Sequence, residues 1–351
     1  MVFTDIRLQN YRSYKDSSFE LDGGVSIVVG PNGAGKSNLI ESLLLVSNGT
    51  SYRGKNDLIK HGQEWARIDV HTKNAARSAK LNRKNKDRPD IEFIVGDKPY
   101  KRLPYSQRQP AVLFEPNNLL LFHGEPQARR DYLDTFSSQT NESYTTTLSR
   151  YKRALAQRNA LLKNPHIDNS QLFVWNIRLC ELAENIVKQR KASLDSIKTR
   201  LSEVYSKISG KESTIKTNYE TRLNPDSYSA SLLKLLEADF ENDRARGFTG
   251  SGPHREDFSV TINDRSASTA ASRGEIRTLL LTLKIIELGL LEDRTKNKPL
   301  LLLDDVFSEL DNSRRKALTR FLKDYQTVIT TTDADIILKN FSQDCQIIPL
   351  D

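Results

Sequence analysis

The sequence has few sulfur-containing residues and no long apolar run. Its 351 residues include two cysteines, Cys180 and Cys345, and one methionine. Two cysteines without CxxC spacing exclude a disulfide framework and a cysteine-based zinc site, and they predict a reducing, cytoplasmic environment. No apolar run approaches the ~20 residues that span a bilayer, and the first residues lack the pattern of a secretion signal. We therefore expect no association with a membrane.

Acidic residues are fewer than basic ones. The chain has 53 Lys and Arg against 45 Asp and Glu, which gives a formal net charge of +8. This excess favours an anionic partner such as nucleic acid, but it is equally compatible with an ordinary basic protein.

Strand-like and helix-like segments alternate in the first and last thirds. This alternation predicts an α/β fold with a parallel sheet covered on both faces. The predicted strands are 3–8, 25–29, 66–71, 91–95, 111–114, 258–262, 300–303 and 327–330. The predicted helices here are 36–45, 275–291 and 313–324.

The middle of the sequence is helical and predicts an insertion between two halves of one lobe. Helices are expected at 126–136, 141–163 and 171–208. Apolar residues in the last of these follow 3-4 spacing, which predicts the seam of an antiparallel helix hairpin. Packing within the same domain and pairing with a partner's coil both fit this pattern.

A glycine-rich segment lies between the predicted strand 25–29 and the helix after it. Its residues are Gly30, Pro31, Asn32, Gly33, Ala34, Gly35, Lys36 and Ser37. The segment fits G-x-x-x-x-G-K-[ST], whose backbone N–H groups point at phosphate oxygens. Lys36 is expected to reach the β- and γ-phosphates, and Ser37 to ligate Mg²⁺. The segment therefore predicts an ATP site with Mg²⁺.

Two carboxylates follow the predicted strand 300–303. Asp304 is expected to hold Mg²⁺, and Asp305 lies where a general base polarises the attacking water. With Lys36, they form the predicted catalytic set. A charged strand end at a turn is the structural alternative.

A short motif, Ser272-Arg273-Gly274-Glu275, precedes a long predicted helix. One interpretation is a capping box, with Ser272 at the N-cap and Glu275 at N3. The other is an ABC signature loop, in which Ser272, Gly274 and the helix N-terminus meet the γ-phosphate of ATP bound to another subunit. Residues 308–311 then follow the acidic strand as a D-loop does. This order of motifs indicates an ABC-type ATPase that works as an ATP-dependent homodimer.

A basic, turn-rich segment at residues 80–89 predicts an exposed hairpin tip. From residue 77 to 108 there are ten Lys or Arg against four Asp or Glu. The predicted DNA-binding residues are Lys80, Arg83, Lys84 and Lys86, which would neutralise phosphates without recognising sequence. The alternative is a solvated strand edge protected by lysines.

Seven segments together resemble the RecF family, bacterial recombination-mediator ATPases related to the heads of SMC proteins. The segments are 8–14 (LQNYRSY), 114–119 (FEPNNL), 124–134 (GEPQARRDYLD), 151–155 (YKRAL), 157–159 (QRN), 252–257 (GPHRED) and 302–311 (LLDDVFSELD). The resemblance covers nearly the whole chain. It implies an ABC-type ATPase head, with lobe I at residues 1–115 and 258–351 and a mainly helical lobe II at 116–257.

The resemblance also implies a function. A protein of this family would dimerise on ATP, bind single-stranded and gapped double-stranded DNA, load recombinase with RecO- and RecR-type partners, and hydrolyse ATP slowly.

Arg12 is expected to contact the nucleotide or to pack beside the first strands. His254 and Arg255 are expected to make structural contacts. Asp305 replaces the glutamate common in ABC pumps, and one methylene less is expected to hold water less well.

Some residues depart from the family pattern. Glu275 stands where glutamine is usual, Ala271 where leucine is common, and Asn117-Asn118 where an acidic pair is usual.

Two rival functions remain open on the sequence alone: an ATP-gated clamp in which hydrolysis only resets the dimer, and an ABC ATPase subunit that does not act on DNA.

Overall fold

The computed structural model describes residues 1–53, 57–73, 75–83, 89–164, 166, 169–307, 310–333 and 345–351. The strands are β1 (Phe3–Gln9), β2 (Asp16–Glu20), β3 (Val25–Val29), β4 (Trp65–Thr72), β5 (Ala75–Asn82), β6 (Asp90–Val95), β7 (Lys98–Tyr100), β8 (Ala111–Phe114), β9 (Ile215–Glu220), β10 (Asp257–Ile262), β11 (Arg265–Ser266), β12 (Leu300–Asp304), β13 (Thr327–Thr331) and β14 (Cys345–Pro349). The helices are α1 (Lys36–Asn48), α2 (Leu120–His123), α3 (Pro126–Thr140), α4 (Glu142–Leu162), α5 (Asn169–Ser209), α6 (Tyr228–Ala238), α7 (Phe240–Arg246), α8 (Ala267–Ala270), α9 (Arg273–Thr295) and α10 (Asn312–Leu322).

The chain folds into two compact units. Unit 1 comprises residues 1–118 and 284–351, and unit 2 comprises residues 119–283. Residues 258–283 group with unit 2, where β10 pairs with β9 along its whole length. The predicted lobe boundaries, after residues 115 and 257, stay a prediction.

A five-stranded parallel sheet lies in unit 1. Its order is β14-β3-β13-β12-β8, and every neighbouring pair is parallel. Strand β12 is buried at all five positions and β3 at four of five, as expected for strands covered on both faces. The predicted strands at 25–29, 111–114, 300–303 and 327–330 are confirmed.

A second sheet of unit 1 is antiparallel, in the order β2-β1-β4-β5-β6-β7. The buried positions of β4 alternate, so one face of this sheet belongs to the core and the other faces outward. Helix α1 packs between the two sheets, and its leucines share one core cluster with residues of both. The side chain of Gln326 joins the sheets, because its amide donates to the carbonyl oxygens of Phe3 (2.6 Å) and Asp22 (2.9 Å). The predicted strands at 3–8, 66–71 and 91–95 are confirmed.

The predicted hairpin tip at residues 80–89 is partly confirmed. Strands β5 and β6 pair antiparallel, from Arg77 opposite Val95 to Asn82 opposite Asp90. The first residues of the segment, through Asn82, belong to β5 rather than to the tip. Residues 84–88 lie outside the described part of the chain.

The long helix α5 of unit 2 has 41 residues. It packs against α3, α4, α6 and β9, and its buried residues include Leu179, Ile186, Ile197 and Leu201. Its contact with α4 includes a hydrogen bond from the Arg158 guanidinium to the Asn176 side chain (2.7 Å). The predicted seam therefore packs within its own unit.

Unit 2 also contains a three-stranded antiparallel sheet, β11-β10-β9. The sequence predicted β10 but not its two partners, because four of the six residues of β9 are polar and β11 has only two residues. Among the helices that the structure describes, none is long and apolar enough to cross a membrane.

Candidate nucleotide-binding site

Four strands of the parallel sheet end side by side, and polar residues or loops follow them. The glycine-rich loop follows β3, Asp305 follows β12, and Glu115 follows β8. Strand β13 lies between β3 and β12. In open α/β sheets, ligands bind outside the carboxyl ends of the strands, so this edge is where the predicted residues converge.

The glycine-rich loop depends on two glycines with positive φ. Gly33 has φ +90° and Gly35 has φ +100°, a region that other residues seldom adopt. A Cβ on Gly35 would also lie 2.9 Å from the Ser13 hydroxyl and 3.0 Å from the Tyr14 ring. Tyr14 donates to the Gly35 carbonyl (3.1 Å). The loop is therefore held in a shape that only glycine permits, at the N-terminus of α1.

Lys36 begins α1 and is only 7% exposed. Its ammonium group donates to the carbonyl oxygens of Gly30 (2.6 Å) and Pro31 (2.8 Å). These contacts place the Lys36 charge inside the loop, where a P-loop lysine meets phosphate oxygens. Contact of Lys36 with the phosphates stays a prediction.

Ser37 and Asp304 meet across the sheet edge. The Ser37 hydroxyl donates to Asp304 Oδ1 (2.9 Å), and so does the Thr330 hydroxyl of β13 (2.8 Å). Asp304 is 5% exposed. A hydroxyl and a carboxylate oxygen in this arrangement suit Mg²⁺, which binds few protein oxygens together with phosphate oxygens. Residues 267 positions apart are brought together as predicted.

Asp305 lies in a strained backbone conformation. Its φ is +53°, which is uncommon for a residue with a side chain. The Asp305 N–H donates to the Thr330 hydroxyl (3.1 Å) and carbonyl (3.2 Å). These bonds hold the Asp305 backbone against β13. Strain of this kind is concentrated at functional sites.

The predicted D-loop, residues 308–311, is described only in part. Positions 308 and 309 lie outside the described residues. Asp311 is the N-cap of α10 and accepts from the Arg314 N–H (2.9 Å).

Sequence reasoning missed three residues around Asp304. Tyr52 donates to Asp304 Oδ2 (3.3 Å), and the Arg53 guanidinium lies 3.7 Å from the same oxygen. Burial, and then the charge of Asp304, raise the pKa of the Glu115 carboxyl. Tyr52 and Arg53 belong to none of the sequence motifs, and Glu115 lies in a RecF-like segment that predicts no role for it. The structure alone brings them to this edge.

Arg12 lies beside α1. It has φ +50°, and its guanidinium forms a two-bond ion pair with the buried Glu41 carboxylate (2.8 and 2.9 Å). Ser51 donates to the same carboxylate (2.8 Å). The structure thus shows the packing role, and contact of Arg12 with the nucleotide stays a prediction.

The predicted signature loop lies in unit 2, at the start of α9. The capping box is present, because the Ser272 N–H and hydroxyl both donate to Glu275 Oε2 (2.8 and 2.7 Å). The Glu275 N–H donates back to the Ser272 hydroxyl (3.3 Å). The capping interpretation is confirmed, and the signature role of Ser272 and Gly274 stays a prediction.

The predicted DNA-binding residues are only partly described. Lys80 lies on the outward face of the antiparallel sheet, between Arg67 and Glu92 in cross-strand register. Arg83 is exposed at the end of β5, whereas Lys84 and Lys86 lie outside the described residues. The face also carries Asp69, which accepts from Arg67 (2.9 Å), so acidic and basic side chains alternate there.

Arg77, the first residue of the basic run, is buried. Its guanidinium donates to the carbonyl oxygens of Val46 (3.0 Å) and Ser47 (3.3 Å) at the end of α1. Burial lowers the pKa of Arg77 to about 10. This residue therefore caps the helix that carries the P-loop and does not face a DNA backbone.

A protein-family model described as the RecF/RecN/SMC N-terminal domain matches residues 2–347. The DNA replication and repair protein RecF of Ruminiclostridium cellulolyticum is 33% identical over 349 residues, which cover 95% of this chain and 94% of that relative. The protein of the same name from Clostridium perfringens is 32% identical over 339 residues, with 95% and 93% coverage. The chain belongs to the RecF family. The resemblance found in the sequence is confirmed.

Solved structures support the same family. The recombination mediator protein RecF-ATPrS in the RecFOR pathway has a TM-score of 0.87 and 29% identity, covering 99% of this chain and 97% of that one. RecF-ATP has a TM-score of 0.85 and 28% identity, covering 99% and 95%. An Smc head bound to the C-terminal winged-helix domain of ScpA shares the fold, with a TM-score of 0.55 and 15% identity, covering 99% and 94%. The predicted α/β ATPase head with an inserted helical part is therefore confirmed for this RecF-family chain.

Proposed function

We propose that this chain is an ATP-dependent, DNA-binding recombination mediator of DNA repair and replication. It closes as a dimer on ATP at gapped DNA, works with RecO- and RecR-type partners to load recombinase, and hydrolyses ATP slowly. The observation that carries the proposal is the convergence of Lys36, Ser37 and Asp304 at one edge of the parallel sheet. Relatives named as repair proteins and solved RecF-ATP structures support it.

Each residue of this edge has a task in binding ATP. The P-loop N–H groups and Lys36 bind the phosphates, and the Ser37 hydroxyl and Asp304 carboxylate hold Mg²⁺. When bound, Mg²⁺ neutralises the charge that develops on the phosphate oxygens. Thr330 fixes the Asp304 carboxylate through its 2.8 Å hydrogen bond, so the ligand oxygen is oriented before ATP arrives.

Asp305 is the general base of the proposed hydrolysis. It follows Asp304 directly, and its N–H bonds to Thr330 hold it in place. Its side chain accepts a proton from the attacking water. The short side chain holds that water less firmly than glutamate would, which accounts for slow turnover and a long-lived ATP state.

The second subunit completes the site. Ser272, Gly274 and the N-terminus of α9 donate to the γ-phosphate of ATP bound to the partner copy. ATP thus joins two copies of the chain, and hydrolysis releases them. A two-fold dimer contains this contact twice.

The assignment of the base is tested with Asp305→Ala. We expect turnover to fall by about 10²- to 10⁴-fold, which is the usual contribution of a general base, while ATP-bound dimers accumulate. Asp97→Ala, at an exposed turn, is the control and should leave both unchanged. Normal turnover in Asp305→Ala, measured by phosphate release, contradicts the assignment.

DNA binding is tested with a gapped duplex in the presence of ATP, ADP or a non-hydrolysable ATP analogue. We expect binding with ATP and the analogue and weak binding with ADP, and affinity should fall steeply with salt. The double variant Lys80→Ala with Arg83→Ala should reduce the salt dependence of DNA affinity. The double variant Lys73→Ala with Lys98→Ala is the matched control and removes the same number of charges. Nucleotide-driven dimerisation without DNA binding would support the ABC ATPase subunit that does not act on DNA instead.

A further inference from the structure

Both donors of Ser272 are occupied by one carboxylate oxygen. The Ser272 N–H and hydroxyl lie 2.8 and 2.7 Å from Glu275 Oε2. These are the groups that the proposed function directs to the γ-phosphate of the partner's ATP. The Glu275 carboxylate therefore already holds the position of an anion at this loop.

The negative charge of the Glu275 carboxylate is stabilised by its surroundings. Hydrogen bonds from the Ser272 N–H and hydroxyl lower its pKa. It lies in the first turn of the 23-residue helix α9, where the helix dipole favours a negative charge. The Arg265 guanidinium is 4.0 Å from Oε1 and its side chain is 64% exposed, so solvent screens that pair.

A carboxylate and a phosphate cannot both occupy the same donors. Resting on the proposed function, we propose that Glu275 is an intramolecular brake on ATP-dependent dimerisation. Its carboxylate competes with the partner's γ-phosphate for Ser272 and repels that phosphate through its charge. The dimer closes when ATP displaces Glu275 from both signature loops, so the brake acts twice in each dimer.

This brake has a consequence for ATP-dependent dimerisation. A neutral residue at position 275 would still cap α9 but would leave no charge beside the phosphate. The wild-type chain therefore requires more ATP-bound protein to form dimers than a chain with a neutral cap. Dimers therefore form less often where no DNA is bound.

The test uses the full chain with Glu275→Gln. Glutamine at N3 keeps the capping box, because its amide oxygen accepts from Ser272, but it removes the charge. In sedimentation equilibrium with a non-hydrolysable ATP analogue, we expect the dimer dissociation constant to fall about tenfold at low salt. This magnitude follows from two like-charge contacts a few ångströms apart in a partly exposed site. The difference should shrink at high salt.

Three controls separate charge from folding. Glu142→Gln makes the same change in the first turn of α4, at an exposed position, and should leave dimerisation unchanged. Ser272→Ala should weaken dimerisation, because it removes the hydroxyl that meets the phosphate. Thermal unfolding of all variants reports whether each protein is folded.

The outcomes distinguish this inference from the function on which it rests. Tighter dimers of Glu275→Gln, or dimers formed by that variant alone, support the brake. If wild type dimerises and Glu275→Gln dimerises equally or less well, the brake is wrong and the proposed function stands. If neither forms dimers while both bind ATP, the proposed dimer fails and the brake fails with it.

Discussion

Lys36 in unit 1 and Arg158 in unit 2 are both buried cations, with exposures of 7% and 0%, but their partners differ. The Arg158 guanidinium donates to the Asp243 carboxylate, the Asn176 side chain and the Thr249 hydroxyl, each at 2.7 Å. Lys36 donates to two backbone carbonyl oxygens. Within the described residues, no carboxylate lies at ion-pair distance from Lys36.

The two buried charges are therefore balanced in different ways. A buried charge is costly unless it is paired, and the charge of Arg158 is neutralised within unit 2 by Asp243. The charge of Lys36 is held by neutral dipoles and stays available to an anionic ligand. Burial alone therefore does not identify a functional cation, and carbonyl partners alone do not either, because the buried Arg77 also donates to backbone carbonyl oxygens.

The largest effect that tests this comparison is expected from Arg158→Ala. The substitution leaves the Asp243 carboxylate buried without its guanidinium, which costs about 3–5 kcal/mol of folding free energy. Urea denaturation measures this loss. Arg153→Ala, at an exposed position of the same helix, should cost far less. A loss below about 1 kcal/mol for Arg158→Ala would remove the distinction.

The opposite pattern is expected from Lys36→Ala. Under the proposed function, charge-assisted hydrogen bonds from Lys36 to phosphate would contribute about 1.5–3 kcal/mol, so ATP affinity should fall about 10- to 100-fold. Folding stability should change by less than about 1 kcal/mol, because no carboxylate loses its partner. Titration calorimetry with ATP checks the affinity, and exposed Lys15→Ala is the control. Equal loss of stability in both variants would contradict the comparison.

His254 is a partly buried basic residue, also in unit 2, and its contribution to folding stability should depend on pH. Its Nε2–H donates to the Thr249 carbonyl (3.0 Å) and its Nδ1 accepts from the Tyr151 hydroxyl (2.7 Å), so the neutral form is bound. Burial lowers the pKa of His254 from 6.5 to about 4. The folded state then binds fewer protons than the unfolded state between these values.

The stability that neutral His254 contributes is therefore present above pH 6.5 and is lost as pH falls toward 4. By pH 5 we expect a loss of about 2 kcal/mol. Urea denaturation of wild type and His254→Gln at pH 7.5 and 5 measures it, and the variant should lose less over this interval. Parallel pH profiles would show that His254 does not titrate in this way.

Several elements were predictable because their signals are local. The continuous apolar run Leu300–Leu303 predicted a buried parallel strand, and the loop motif predicted the start of α1. Strand β5 was missed because its sequence, AARSAKLN, has weak strand character. Its place is decided by pairing with β4 and β6, which lie elsewhere in the sequence.

The site was predictable to the same extent. Motif spacing was sufficient to name Lys36, Ser37 and Asp304, since a P-loop and an acidic strand end share one sheet edge. Tyr52, Arg53 and Glu115 could not be found in this way, because only the tertiary fold, including the pairing of β8 with β12, brings them near Asp304. Arg77 was counted among the basic residues of the hairpin, but its burial against the end of α1 removes it from that group.

The sequence by itself determined the phosphate-binding loop, the acidic strand end and the family, because these depend on residue types at fixed local spacing. Only the tertiary structure decided which charges are neutralised. An ion pair such as Arg158 with Asp243 joins residues 85 positions apart, and no local pattern records that distance. The sequence also allowed Ser272–Glu275 to be a cap, a signature loop or both, and the geometry showed that the Glu275 carboxylate accepts from both donors of Ser272.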